Sequence, residues 1–114
     1  MGTTGLETAF PAVYTELVLS GEIELDTIIE RMTSGGALYG LPIPRIAPDD
    51  PANLCVFDLG AQFEVGADGY VSRSANCCFH GRTLHGQLVL TVAAGAVVHR
   101  TRTLTVARKA VSAR

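Results

Sequence analysis

The chain has no tryptophan, two methionines and three cysteines in 114 residues, and only 18% of it is charged. No Asp or Glu occurs beyond position 70. Apolar residues make up 47%, and so little charge beside so much apolar surface excludes intrinsic disorder for most of the chain. No apolar run approaches the roughly 20 residues that a membrane helix needs, because Glu, Gly or Pro interrupts each candidate. The first residues, Met1-Gly2-Thr3-Thr4-Gly5, have neither a basic n-region nor an apolar h-region. No secretory signal is therefore expected, and the cytoplasm is the expected compartment. There is no nucleophile elbow, P-loop, glycine-rich dinucleotide turn or HExxH. A chain of this length is one small domain or a piece of a larger one, able to bury roughly 65% of its unfolded surface.

What charge there is lies unevenly. Residues 1–70 hold eleven carboxylates against Arg31 and Arg45, a balance of −9, and residues 71–114 hold seven Lys or Arg, a balance of +7. A basic arm can serve a polyanion. Here no aromatics interleave with the basic residues to make a stacking platform. The plainer reading is that the two halves neutralise each other or face a partner, with no nucleic acid and no membrane involved.

Cys55 sits in the apolar run Leu54-Cys55-Val56-Phe57 and reads as a small core residue. Cys77 and Cys78 are neighbours that could pair only through a strained eight-membered ring. With His80 and His85 they make a spacing that fits no standard zinc pattern. His80, His85 and His99 are scattered and read as surface or strand residues. The residues themselves thus predict no catalytic group and no metal ligand in this chain.

Local grammar divides the chain in two. Residues 4–19 read as a helix opened by a capping box, the Thr4 hydroxyl accepting from the Glu7 amide and Glu7 reaching back. Leu6, Phe10, Val13, Leu17 and Val18 form its apolar stripe, with Pro11 as an alternative start. Residues 25–34 read as a second helix with the stripe Leu25, Ile28, Ile29 and Met32, ended by Gly35-Gly36. Residues 37–41 can add a turn, and the proline-rich stretch 42–51 is a connector. Strand grammar follows. Residues 54–59 are apolar on both faces, as an interior strand with Val56 at its centre would be. Residues 62–65 alternate weakly, 66–69 form a turn, and 70–71 are a short segment before the loop 72–81. Residues 83–93 alternate with Leu84, Leu88, Leu90 and Val92 on one side. Ala94-Gly95 turns the chain into a partner strand over 96–100. A further strand is possible at 104–106.

Five blocks in order resemble dihydroorotases. Gly5-Leu6-Glu7-Thr8-Ala9-Phe10-Pro11-Ala12-Val13-Tyr14-Thr15 resembles the segment after that family's last barrel strand. Residues 25–34 and Tyr39-Gly40-Leu41-Pro42 are similar to its next helix and the Gly-Leu-Pro beyond it. Pro51-Ala52-Asn53-Leu54-Cys55-Val56-Phe57-Asp58 resembles the Pro-Ala-Asp-Leu-x-x-x-Asp strand of the wider amidohydrolase superfamily. Ser72-Arg73-Ser74-Ala75-Asn76-Cys77-Cys78-Phe79-His80-Gly81 is similar to the family's Ser-x-x-x-Asn-Thr-Pro-Phe-x-Gly, and 84–98 to its closing hairpin. Asn53 stands for the usual Asp, Cys77-Cys78 for Thr-Pro, and Gly35-Gly36 where Asn-Pro is usual.

The resemblance implies an incomplete α+β fold. Residues 1–45 would be the last helix of a (β/α)8 barrel and the helix leading out of it. Residues 46–100 would be strands of a small composite β-domain, and 101–114 a basic tail. The implied activity is the metal-dependent, reversible cyclisation of N-carbamoyl-L-aspartate to dihydroorotate, with zinc as the metal of the full-length family. Its ligands would lie upstream of Met1, so this chain would bind none and be inactive alone. The implied site residue here is Gly2, through its backbone, to substrate. The implied partners are the missing amino-terminal barrel segment and, as further candidates, aspartate transcarbamoylase or further copies of the chain. A start at Met1 would then reflect a split gene, an internal start or a truncation. The alternatives are a non-catalytic scaffold or interaction module, or a fragment of a hydantoinase, dihydropyrimidinase or allantoinase. The Asn76…Phe79 segment favours dihydroorotate over the latter three.

Overall fold

A computed structural model describes residues 2–101. A five-residue helix, α1 (Ala9–Val13), runs into a π-turn (Tyr14–Val18), and α2 (Leu25–Ser34) runs into a 3-10 turn (Gly35–Tyr39). Three strands follow, β1 (Leu54–Glu64), β2 (Thr83–Ala93) and β3 (Ala96–Arg100). They form one antiparallel sheet in the order β1-β2-β3. The result is an α+β segment. No helix among the described residues is long and apolar enough to cross a membrane. The expected strand at 104–106 and the basic tail from 102 onward lie outside the described residues. The chain divides into two compact units.

The first unit comprises residues up to Met32 together with Leu59–Gln87. Its core is Ala12, Val65, Cys77 and Leu84, with Phe63, Tyr70 and Phe79 packed around it. Leu84 and Val65 are 0% and 1% exposed, each contributing about 1.5–3 kcal/mol of burial energy. The N–H of Val65 donates to the Arg82 carbonyl and the N–H of Gly81 to the Val65 carbonyl, both at 2.9 Å. The rings of Phe10 and Tyr14 stack with centroids 5.9 Å apart. They lie against bare backbone at Gly86, where a Cβ would come 3.2 Å from Tyr14 and 3.4 Å from Phe10. Thr15 clasps the same stretch of β2: the His85 N–H donates to its Oγ1 at 2.8 Å, and that hydroxyl donates to the His85 carbonyl at 3.4 Å. Arg82 and Glu16 form an ion pair beside them.

The expected helix over 4–19 is much shorter than its pattern. The capping box does not form: the Thr4 hydroxyl has no partner among the described residues, and both groups of the return bond, the Thr4 N–H and the Glu7 carboxylate, are engaged elsewhere. The Thr4 N–H donates to the Asn76 carbonyl at 2.8 Å, and the Glu7 carboxylate accepts from the N–H groups of Val71 and Ser72 at 3.2 and 2.8 Å. Thr8 stands at the cap position instead, and the first helical bond runs from the Ala12 N–H to its carbonyl at 2.8 Å. Pro11 falls in the first turn, where a missing N–H costs nothing. The helix then widens, with the Leu19 N–H reaching back five residues to Tyr14. Leu6 is left 97% exposed.

The second unit comprises Thr33–Asp58 together with residues from Leu88 on. The 3-10 turn ends at Gly40, and the Leu41 N–H donates back to Gly36. β2 and β3 pair as a hairpin with Ala93 opposite Ala96. The two-residue loop puts Ala94 at φ +49° and Gly95 at φ +80°, the mirror-image turn whose twist matches the strands. The Asn53 carboxamide oxygen accepts the Ala94 N–H, and the Ala52 carbonyl the Gly95 N–H, both at 2.9 Å. Asn53, the departure from the usual Asp, thus supplies the acceptor oxygen that an Asp would also supply. The Thr101 N–H and hydroxyl both donate to the Val89 carbonyl.

Two expectations fail here. Residues 54–59 are not covered on both faces: β1 is an outer strand, Cys55 is exposed, and Val56 is 42% exposed. Cys55 and Val56 are successive residues of the strand, point to opposite faces and both meet solvent, so neither is a core residue. The strand also continues unbroken to Glu64. On β2, the buried residue of this unit is Val89, at 5% exposure, rather than Leu88 or Leu90 of the expected stripe. β2 is the central strand, so either face can be the covered one.

Candidate functional site

The amino-terminal arm, residues 2–8, has no regular structure and is held by the loop 71–78. Three consecutive arm residues are engaged. The Gly2 carbonyl accepts from the Asn76 carboxamide. The Thr3 hydroxyl accepts from the Cys78 N–H at 2.8 Å. The Thr4 N–H donates to the Asn76 carbonyl. The loop is braced in turn: Ser74 Oγ accepts from the Asn76 N–H at 3.2 Å, and Cys77 is sunk in the core. Between arm and loop lies an open depression of about 420 Å³ lined by Gly2, Thr3, Thr4, Ser74 and Asn76. The Thr4 hydroxyl is buried there with no hydrogen-bond partner among the described residues.

Behind the loop, the Tyr70 hydroxyl is 2.7 Å from His80 Nδ1. Gly66, at φ +86°, lies so close that a Cβ there would sit 2.4 Å from that nitrogen and 2.7 Å from the Tyr70 oxygen. Desolvation raises the Tyr70 phenol above its ordinary pKa, and the neighbouring Cys77 thiol and Glu7 carboxylate push the same way. This group closes the turn 66–70 onto the loop.

Gly2, the expected site residue, therefore stands on the wall of the depression, and the structure adds Thr3, Thr4, Ser74 and Asn76 to it. Pattern reading missed these four because they carry no chemistry of their own; a contact 74 residues apart gives no periodic signal. Thr4 was further masked by the capping-box spacing. The histidines stay apart: His80 and His99 are exposed, and His85 lies on β2 with its Nδ1 buried and unpartnered among the described residues. All three cysteines are free thiols. Among the described residues no three His, Cys, Asp or Glu side chains gather to hold a metal ion. The zinc that the resemblance implies thus finds no fitting ligand set among the described residues.

The geometry defines an α+β segment presenting a clamped backbone arm rather than a cluster of reactive side chains. No family model matches the chain. Over most of its length, however, the chain is similar to the carboxy-terminal part of dihydroorotases. It is 41% identical over 102 residues to the dihydroorotase of Carboxydothermus hydrogenoformans, 37% over 100 residues to that of Streptococcus pneumoniae, and 34% over 102 residues to that of Lactobacillus leichmannii. These matches cover 87–89% of this chain and 24% of each relative. The chain spans about a quarter of the length of the curated relatives it matches.

Proposed function

We infer that the chain is the carboxy-terminal part of a dihydroorotase. In this reading it serves an enzyme that closes N-carbamoyl-L-aspartate to dihydroorotate with loss of water, and reopens the ring, in pyrimidine biosynthesis. The observation that carries the reading is similarity to eight dihydroorotases at 31–41% identity over nearly the whole chain. α1 and α2 would be the last barrel helix and the exit helix, and the sheet would belong to the small β-domain.

The metal of such an enzyme polarises the amide and activates water. Its ligands belong to the remaining three quarters of the protein. What this chain contributes is backbone: Gly2 faces the substrate, held in place by the loop 71–78. The amino-terminal barrel segment is the partner the function requires. Aspartate transcarbamoylase and a second copy of the chain are further candidates.

The test is turnover of N-carbamoyl-L-aspartate with zinc supplied. The expected result is none from the pure 114-residue chain and measurable turnover once the amino-terminal three quarters of a dihydroorotase is added. Metal-dependent turnover by the chain alone would overturn the assignment of the site to the missing part. Stable, inactive co-purification with a transcarbamoylase would replace the enzyme reading with that of a scaffold.

A further inference from the structure

The hydrogen bonds of the arm divide unevenly. The clamp uses the Gly2 carbonyl, the Thr3 hydroxyl and the Thr4 N–H. The N–H groups of Gly2 and Thr3 have no partner among the described residues, and both residues line the depression. An exposed glycine and an exposed threonine bury too little surface to fix their own path. Their conformation is therefore set by what holds them, and that is one residue above the rest. Asn76 reaches the arm twice, with its carboxamide at Gly2 and its own carbonyl at Thr4. Its backbone is fixed from below, through Ser74 Oγ on one side and the buried Cys77 on the other.

We propose that Asn76 is a positioning residue for the substrate-facing backbone of Gly2, with the Thr3 hydroxyl as the second point of the clamp. The role rests on the dihydroorotase reading given above. Asn76 touches no reacting atom; it holds two free N–H donors in a fixed path so that no ordering is needed when substrate arrives. The pattern of the 72–81 block contains Asn76, but only the fold shows what it holds.

The variants follow from the chemistry. Asn76→Asp keeps the size and removes the donor to Gly2. Thr3→Val removes the acceptor for the Cys78 N–H, and Thr3→Ser keeps it. In the 114-residue chain, Thr3→Val should speed amide exchange at Cys78 by about tenfold while leaving exchange at Leu84 unchanged; Thr3→Ser should not. For activity, the amino-terminal three quarters of the Carboxydothermus enzyme is fused to this chain. Asn76→Asp and Thr3→Val should each raise KM by about tenfold with kcat within about threefold, and Thr3→Ser should restore KM. An active fusion whose KM is unmoved by either variant overturns the positioning role and leaves the functional reading standing. So does a fall in kcat alone, which would mark a merely structural loop. A fusion without turnover, beside an active parent, overturns the functional reading and the positioning role with it.

Discussion

The two units differ in how they use the same supply of apolar residues. The first sinks Ala12, Tyr14, Ile28, Val65, Cys77 and Leu84 below the surface. In the second, Val89 alone among the described hydrophobic residues is buried, while Leu38, Tyr39, Ile46 and Val98 are between 62% and 90% exposed. The first unit has what a small core requires: two side chains at no more than 1% exposure, aromatic cover, and polar clasps from Thr15 and Glu7. The second is held by backbone pairing and by turn chemistry at Asn53 and Gly95. A hairpin without apolar cover is marginal in water. The second unit thus carries more of the exposed large apolar side chains, and the first carries the clamped arm. Even the first unit leaves Leu6, Ile29 and Met32 outward, at 97%, 45% and 51% exposure. These come from the two apolar stripes that helical spacing marks over residues 4–19 and 25–34.

The contrast can be broken by mutation. Leu84→Ala should have the largest effect, about 2–5 kcal/mol, because it empties the centre of the first core; chemical denaturation measures it. Gly66→Ala should cost about 2 kcal/mol, since it combines a positive φ with a Cβ 2.4 Å from His80 Nδ1. In the second unit the sign reverses. Ala94 occupies a left-handed turn position that Asn tolerates better. Ala94→Asn should therefore raise the melting temperature, by about 0.5–1 kcal/mol in stability.

The Tyr70 phenol, raised in the folded state, holds its proton longer there than in the unfolded chain. Its contribution is complete below pH 10, the ordinary value, and is lost as pH rises through the higher folded value. Alkaline stability curves for the parent and Tyr70→Phe should diverge in that window. Val56→Asp should have the smallest effect, about 0.5 kcal/mol or less, because that side chain already meets solvent. A cost of several kcal/mol would show that residues 54–59 are buried after all, and that copies of the chain cover each other there.

Legibility followed locality. α2, β2 and β3 have the bounds that their own residues predict, because capping, alternation and the Ala94-Gly95 turn act within a few positions. The elements misread were those decided from far away. Thr4 and Glu7 have capping-box spacing, but loop 71–78 takes the Thr4 N–H and the Glu7 carboxylate that the return bond would have joined. Leu54 to Leu59 has the composition of a strand covered on both faces, and composition alone cannot say whether the cover is present. The site suffered most. Gly2 came from the resemblance, while Asn76 became part of the site only when the fold brought it to Gly2, 74 residues away.

The most direct test is residue-resolved amide exchange on the 114-residue chain, without any partner. The account predicts strong protection at Val65, Gly81 and Arg82, whose N–H groups are bonded within the first unit. It predicts protection at least about tenfold weaker over Val97 to His99 of β3, where the same kind of pairing has no core beneath it. Adding the amino-terminal segment of a dihydroorotase should raise protection in the second unit and leave Val65, Gly81 and Arg82 of the first unchanged. Equal protection of both units in the isolated chain would contradict the account, because it would mean that the second unit has an apolar core of its own.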